Sequence, residues 1–101
     1  MKTLKLVLKK RWYDMIASGE KKEEYREMKQ YWVDRLGGYG LPWDDHTYER
    51  VTFYLGYAKD RPSMTFEIQD ITCGNNGNPK WGAEPGKSYF IIKLGNRLQN
   101  E

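Results

Sequence analysis

The chain carries one cysteine, Cys73. An internal disulfide is therefore excluded, and a reducing compartment such as the cytoplasm is the expected setting. No partner for thiol chemistry stands near Cys73, so a buried or neutral thiol is expected rather than a nucleophile. No stretch approaches the roughly 20 apolar residues that a membrane-spanning helix needs. Lysines at positions 2, 5, 9 and 10, with no apolar run behind them, argue against a signal peptide. There is no Ser/His/Asp set, no pair of cysteines and no glycine-rich phosphate loop, which excludes the chemistries built on them. Asp44, Asp45 and His46 carry metal-capable atoms, but three adjacent residues converge poorly on one ion, so neither a metal nor a cofactor is expected. Strong net charge is also missing. A balance of +3 and a pI near 8.9 permit contact with phosphate or an acidic partner without demanding it. Repeats, low-complexity segments and linkers are absent as well.

What is present suits one small domain. A chain of 101 residues can bury roughly two-thirds of its unfolded surface around a single core. Hydrophobic residues make up only 39%, but four Trp, eight Tyr and three Phe supply bulk for a compact barrel. With no heptads and no clear exposed apolar stripe, a monomer is the expected state.

Residues 3–8 alternate, with Leu4, Leu6 and Leu8 on one side, which predicts a strand. Residues 9–18 place Trp12, Ile16 and either Tyr13 or Met15 at helical spacing. That predicts a short amphipathic helix, stopped by Gly19 in a left-handed conformation. A second helix is predicted over 30–36, with Trp32, Val33 and Leu36 on one side and glycines at its end. Residues 39–49 read as an ordered polar and aromatic loop. A β-rich central strand over 50–57, a turn over 58–62 and an alternating strand over 63–72 predict an antiparallel pair. On the last of these, Met64, Phe66, Ile68 and Asp70 share one face. A Gly/Asn/Pro-rich segment over 73–87 carries Trp81 and Glu84. A closing strand is predicted over 88–94, followed by a fraying tail. The sum is an α+β domain: a small, mostly antiparallel barrel of about five strands flanked by two short helices.

The stretch of most chemical interest runs from Gly19 through Lys21, Glu24 and Arg26 to Glu27. It reads as a strand over 21–27 with no aliphatic residue, in which only Tyr25 clearly belongs to a core. One reading is a solvated edge strand whose charges discourage edge-to-edge pairing. The other is that Lys21, Glu24 and Arg26 point into a cleft. Glu24 and Arg26 are two apart and share a face; they are expected either as neighbours, each held by something across the barrel, or as a buried structural ion pair. Arg26 offers a planar fork for phosphate or carboxylate, and Glu24 an acceptor for the amino edge of a base. Lys21 is either a phosphate-binding ammonium or a neutral amine. Neighbouring cations and desolvation lower its proton affinity, while Glu24 raises it. Lys9, Lys10, Arg11, Lys22, Lys29 and Arg35, interleaved with Trp12, Tyr25, Tyr31 and Trp32, give the mixture that single-stranded nucleic-acid sites use. Trp12 and Trp32 also fit the core by their spacing. Trp43 and Trp81, on loops, either plug the barrel end or line the cleft.

The pattern Gly19-x-Lys21-x-x-Glu24-x-Arg26, preceded by a strand and a helix that ends in Ile16-Ala17-Ser18-Gly19, resembles the signature of the activating signal cointegrator homology (ASCH) family, a branch of the PUA-like superfamily. The resemblance implies a PUA-like β-barrel with helices on one side and a cleft lined by the motif. It implies binding of RNA or a nucleotide there through Gly19, Lys21, Glu24 and Arg26, to which the loop residues Trp43 and Trp81 are added as candidate binding residues by their position. One branch of the family looks enzymatic and hydrolyses acetylcytidine, using the motif lysine, a threonine three positions later and a glutamate from a later segment. Lys21 matches that lysine, but Glu24 stands where the threonine is required. The candidates for the later acid are Glu84 and Glu67. An amidohydrolase of an acylated nucleoside, with Lys21 and Glu24 catalytic, is thus the alternative, and a protein-interaction module is a third.

Overall fold

A computed structural model describes residues 2–37 and 48–99. The elements run β1 (Lys2–Leu8), α1 (Lys10–Ala17), β2 (Glu23–Glu27), α2 (Gln30–Leu36), β3 (Tyr48–Leu55), β4 (Ser63–Gly74), a 3-10 turn (Pro79–Trp81) and β5 (Tyr89–Leu98). Five strands form one sheet in the order β1-β3-β4-β5-β2. β1 and β3 are parallel, and the other three pairings are antiparallel. The fold is α+β, a mixed sheet curled into a half-barrel with two helices.

The alternation in β1 does what its period dictates. Leu4, Leu6 and Leu8 are buried, and they register with Val51, Phe53 and Leu55 of β3. Val51 and Phe53 in turn face Phe66 and Met64 of β4. Tyr13 and Ile16 of α1 and Leu36 of α2 close this core. Each fully buried side chain of this size contributes about 1.5–3 kcal/mol. A second, smaller cluster joins Tyr25, Ala83, Tyr89 and Ile91 beneath the segment after β4.

Several expectations are corrected. β3 begins at Tyr48 and ends at Leu55, so the connection to β4 spans residues 56–62. β4 does not alternate cleanly. Its register with β5 shifts on both sides of Ile68, and each irregularity changes which face a residue presents. Asp70 is consequently exposed and Ile71 buried. The tail is not frayed up to Leu98, because Arg97 and Leu98 pair with Phe66 and Thr65. Cys73, near the end of β4, is exposed rather than buried. In α2 only Leu36 is fully buried, Trp32 packs partly on the core and Val33 is exposed. The expected loop over 39–49 lies outside the described residues up to position 47, and positions 48 and 49 belong to β3.

β1 and β2 are the two edges of the sheet, yet Arg26 Nη2 on β2 reaches the Val7 carbonyl on β1 at 3.4 Å. The curl thus brings the edges close without joining them. A cleft opens along this seam.

Candidate functional site

The cleft has a volume of about 360 Å³ and is lined by Trp12, Lys21, Glu24, Arg26 and Trp81, with Lys9, Glu84 and Lys87 among the other wall residues. Its floor is built from the end of α1. Gly19 takes φ +86°, a left-handed turn that a side chain would strain. The Lys21 N–H then turns back onto the Met15 carbonyl at 3.0 Å. This closure sends the Lys21 side chain inward. β2 proper starts at Glu23, so Lys21 and Lys22 lead into the strand rather than belong to it.

Lys21 is 3% exposed. Its ammonium donates to Glu24 Oε1 at 2.8 Å and to the Trp81 carbonyl at 2.7 Å, and it stands 4.4 Å from the centre of the Trp12 ring. Burial lowers its proton affinity below the ordinary lysine value, with a smaller push from Arg26, while the charge and hydrogen bond of Glu24 oppose the shift. Glu24 is buried too, and its second oxygen accepts from Arg26 Nη2 at 2.7 Å. Glu24 and Arg26 are therefore bonded directly to each other. The ion pair between them is formed because i and i+2 side chains of this length converge on one strand face, and Arg26 is held from across the barrel as well, by the Val7 carbonyl. The three form a chain of two cations about one carboxylate, with one positive charge in excess within the trio. The guanidinium of Arg26 also lies 5.2 Å from the Trp32 ring, and its buried Nε has no partner.

The opposite wall is the segment after β4, fastened by two tyrosines from the second cluster. Tyr25 Oη accepts from the Asn78 N–H at 2.9 Å and donates to Glu23 at 2.7 Å. Burial, its first cause, raises the Tyr25 phenol well above the ordinary tyrosine range. Tyr89 Oη accepts from the Glu84 N–H at 3.1 Å. Asn78 Oδ1 caps the 3-10 turn through the Lys80 N–H. A Cβ on Gly77 would lie 2.6 Å from Ala83 Cβ, so only glycine fits there. These contacts fix Trp81, whose carbonyl meets Lys21.

Lys21, Glu24, Arg26 and Trp81 therefore meet in one cleft. Gly19 shapes it but does not line it, and Trp43 lies outside the described residues, as do Asp44, Asp45 and His46. Glu84 comes to the rim, whereas Glu67 on β4 does not line the cleft. Trp12, grouped with the core by its spacing, is only partly buried and forms a cleft wall. Of the wider basic set, Lys9 lines the cleft; Lys10 pairs with Asp14 at 2.6 Å, and Lys29 stands 3.6 Å from Glu27. Lys87, which sequence reading passed over, joins the lining. Only its position beside Tyr89 in the fold identifies it. Among the charged wall residues, Lys9, Lys21, Arg26 and Lys87 outnumber Glu24, Glu27 and Glu84.

Among the described residues no group of three or more His, Cys, Asp and Glu is placed to hold a metal ion. No helix among them is long and apolar enough to cross a membrane. No family model matches the chain, no curated protein matches it, and no solved structure matches it.

Proposed function

We propose that the chain is an ASCH-type, PUA-like domain that binds RNA or a nucleotide in the cleft between β1 and β2. The observation that carries this reading is the chain of buried Lys21 and Glu24 with partly exposed Arg26, with its surplus positive charge, in a cleft walled by Trp12 and Trp81. Half-buried indole rings offer stacking surfaces to any base. The partly exposed Arg26 guanidinium and the rim lysines Lys9 and Lys87 suit a phosphate. The cleft volume matches a group of nucleotide size and is near the small end of ordinary ligand pockets.

The test is an amide chemical-shift titration of the isotope-labelled protein with mixed-sequence single-stranded RNA at low salt. Shifts should cluster at Lys21 to Arg26 and around Trp81, and Arg26→Ala should weaken binding with the spectrum of the fold intact. Shifts scattered over exposed lysines such as Lys2 and Lys10, or none, would sink the reading.

A second reading, hydrolysis of an acylated nucleoside, is favoured by one observation: the buried Lys21 has a lowered proton affinity, as a catalytic amine requires. Against it, Glu24 replaces the expected threonine and holds the amine as a charged donor. Incubation with N4-acetylcytidine decides this. Acetate release that Lys21→Ala abolishes supports the enzyme; turnover that survives the substitution removes Lys21 as the catalyst.

A further inference from the structure

A second hollow adjoins the cleft at Arg26, which lines both. It has a volume of about 260 Å³, and its walls include Lys5, Val7, Tyr31, Trp32 and Tyr57. Its chemistry differs from that of the cleft. Among the described residues, Lys5 and Arg26 line it and no carboxylate does, whereas Glu24, Glu27 and Glu84 line the cleft. It is also rich in rings that the fold leaves uncovered. Tyr57 is 85% exposed and Tyr31 is 55% exposed.

The main chain that carries Tyr57 and the ring of Tyr31 are both anchored. The turn before Tyr57 is pinned on both sides of Gly56: its N–H donates to the Leu8 carbonyl at 3.2 Å, and its carbonyl accepts from Arg61 Nη1 at 3.2 Å. Tyr31 meets Trp32 edge-on at 4.7 Å and carries the Arg35 guanidinium at 3.5 Å from its centre. A pinned turn spares the backbone entropy that ordering the Tyr57 segment would otherwise cost when a flat group stacks on its ring. Arg26 lines both hollows, and its buried Nε is left without an acceptor.

We propose that this hollow is a second nucleotide subsite: a strand with one base in the cleft passes its phosphate over Arg26 and stacks the neighbouring base on Tyr57. The cations without carboxylates suit the phosphodiester, and the exposed ring suits a base of any identity. The site therefore selects an RNA strand over a free nucleotide. This rests on the nucleotide reading of the cleft.

The experiment titrates labelled wild-type protein and Tyr57→Ala with two probes separately: an RNA trimer of random sequence and an equimolar mixture of the four ribonucleoside monophosphates. The wild type should bind the trimer more tightly than the monophosphates. Tyr57→Ala should weaken the trimer about tenfold, the effect of one lost stacking contact, and leave the monophosphates unchanged. Because Tyr57 is so exposed, the substitution leaves the fold intact. Equal trimer affinity in the two proteins, or equal weakening of both probes, overturns the subsite while the cleft reading stands. Failure of the wild type to bind either probe overturns the cleft reading, and the subsite falls with it.

Discussion

The Lys21 ammonium donates to the main-chain carbonyl of Trp81 at 2.7 Å, across 60 positions of sequence. This bond joins the turn after α1 to the loop before β5, and with the Glu24 contact it leaves the ammonium one proton, beside the Trp12 ring. A lysine held by two oxygens and an indole is a structural member of the cleft as well as its charge. Lys21→Met should therefore destabilise the protein by about 3 kcal/mol, the lower end of what breaking a buried ion pair costs, because Arg26 still neutralises Glu24. Glu24→Gln should cost a similar amount. Urea denaturation of both single variants and the double variant measures the coupling. The double variant should lose less than the two singles together by about 1–3 kcal/mol; strict additivity would mean that the pair carries no net interaction.

The same groups set the response to alkali. Lys21 binds its proton less tightly when folded than when unfolded. Between its folded value and the unfolded value near ~10.4, the unfolded chain holds more protons, so this residue makes stability rise with pH. Tyr25 and Tyr13 are shifted upward, both chiefly by burial. Their contribution is fully present below the unfolded tyrosine value of about 10 and is lost above it, as the unfolded chain ionises first. Urea unfolding followed from neutral pH to about 11 should show a fall above about 10 that Tyr25→Phe flattens. Lys21→Met should remove the rise that precedes it. A fall of unchanged steepness in Tyr25→Phe would assign it to other groups.

Much of this was legible in the residues because it is local. The period of Leu4, Leu6 and Leu8 fixes one face of β1, and Gly19 marks the turn that sends Lys21 inward. Convergence of Lys21 with Glu24 and Arg26 is only one of two readings the residues leave open, because in a strand over 21–27 Lys21 would face away from Glu24. The strand starts at Glu23 instead, and the turn before it brings Lys21 round. What stayed hidden depends on partners distant in sequence. The spacing of Trp12 fits a core residue, but the cleft lies on that side of α1, and only the position of the Trp81 loop shows it. The irregularities at Ile68 move Ile71 into the core although every side chain nearby fits a regular strand. The grip of Trp81 on Lys21 uses a main-chain oxygen, which leaves no mark in the side-chain pattern.

The wall that carries Trp81 is rigid because it has no room. Gly77 lies where a Cβ would meet Ala83 at 2.6 Å and the Tyr25 ring at 3.1 Å. Gly77→Ala should force the segment outward, at about 1–3 kcal/mol for overpacking. The displacement should weaken the hydrogen bond from Asn78 to Tyr25 and shift the Trp81 carbonyl away from Lys21. The expected readout is altered indole N–H resonance for Trp81 together with weaker RNA binding. An unchanged Trp81 signal would show that the loop adapts and that its position is not set by this contact.

Charge and stacking should separate in their dependence on salt. If Arg26 holds a phosphate, its loss releases one fewer counterion from a single strand, and the slope of log affinity against log salt should shrink in magnitude by about 0.7 in Arg26→Ala. Tyr57 carries no charge, so Tyr57→Ala should lower affinity at every salt concentration and leave the slope as it is. Trp12→Ala should behave like Tyr57→Ala if its indole stacks on a base, because the cations that line the cleft remain in place. The measurement is a fluorescence titration of a labelled single-stranded RNA at several salt concentrations, with wild type and the three variants side by side. A slope unchanged in Arg26→Ala would take the phosphate away from Arg26 and return that residue to its bond with Glu24 alone. A slope reduced in Trp12→Ala would mean that the indole acts through the neighbouring Lys21 and Arg11 charges rather than through a base.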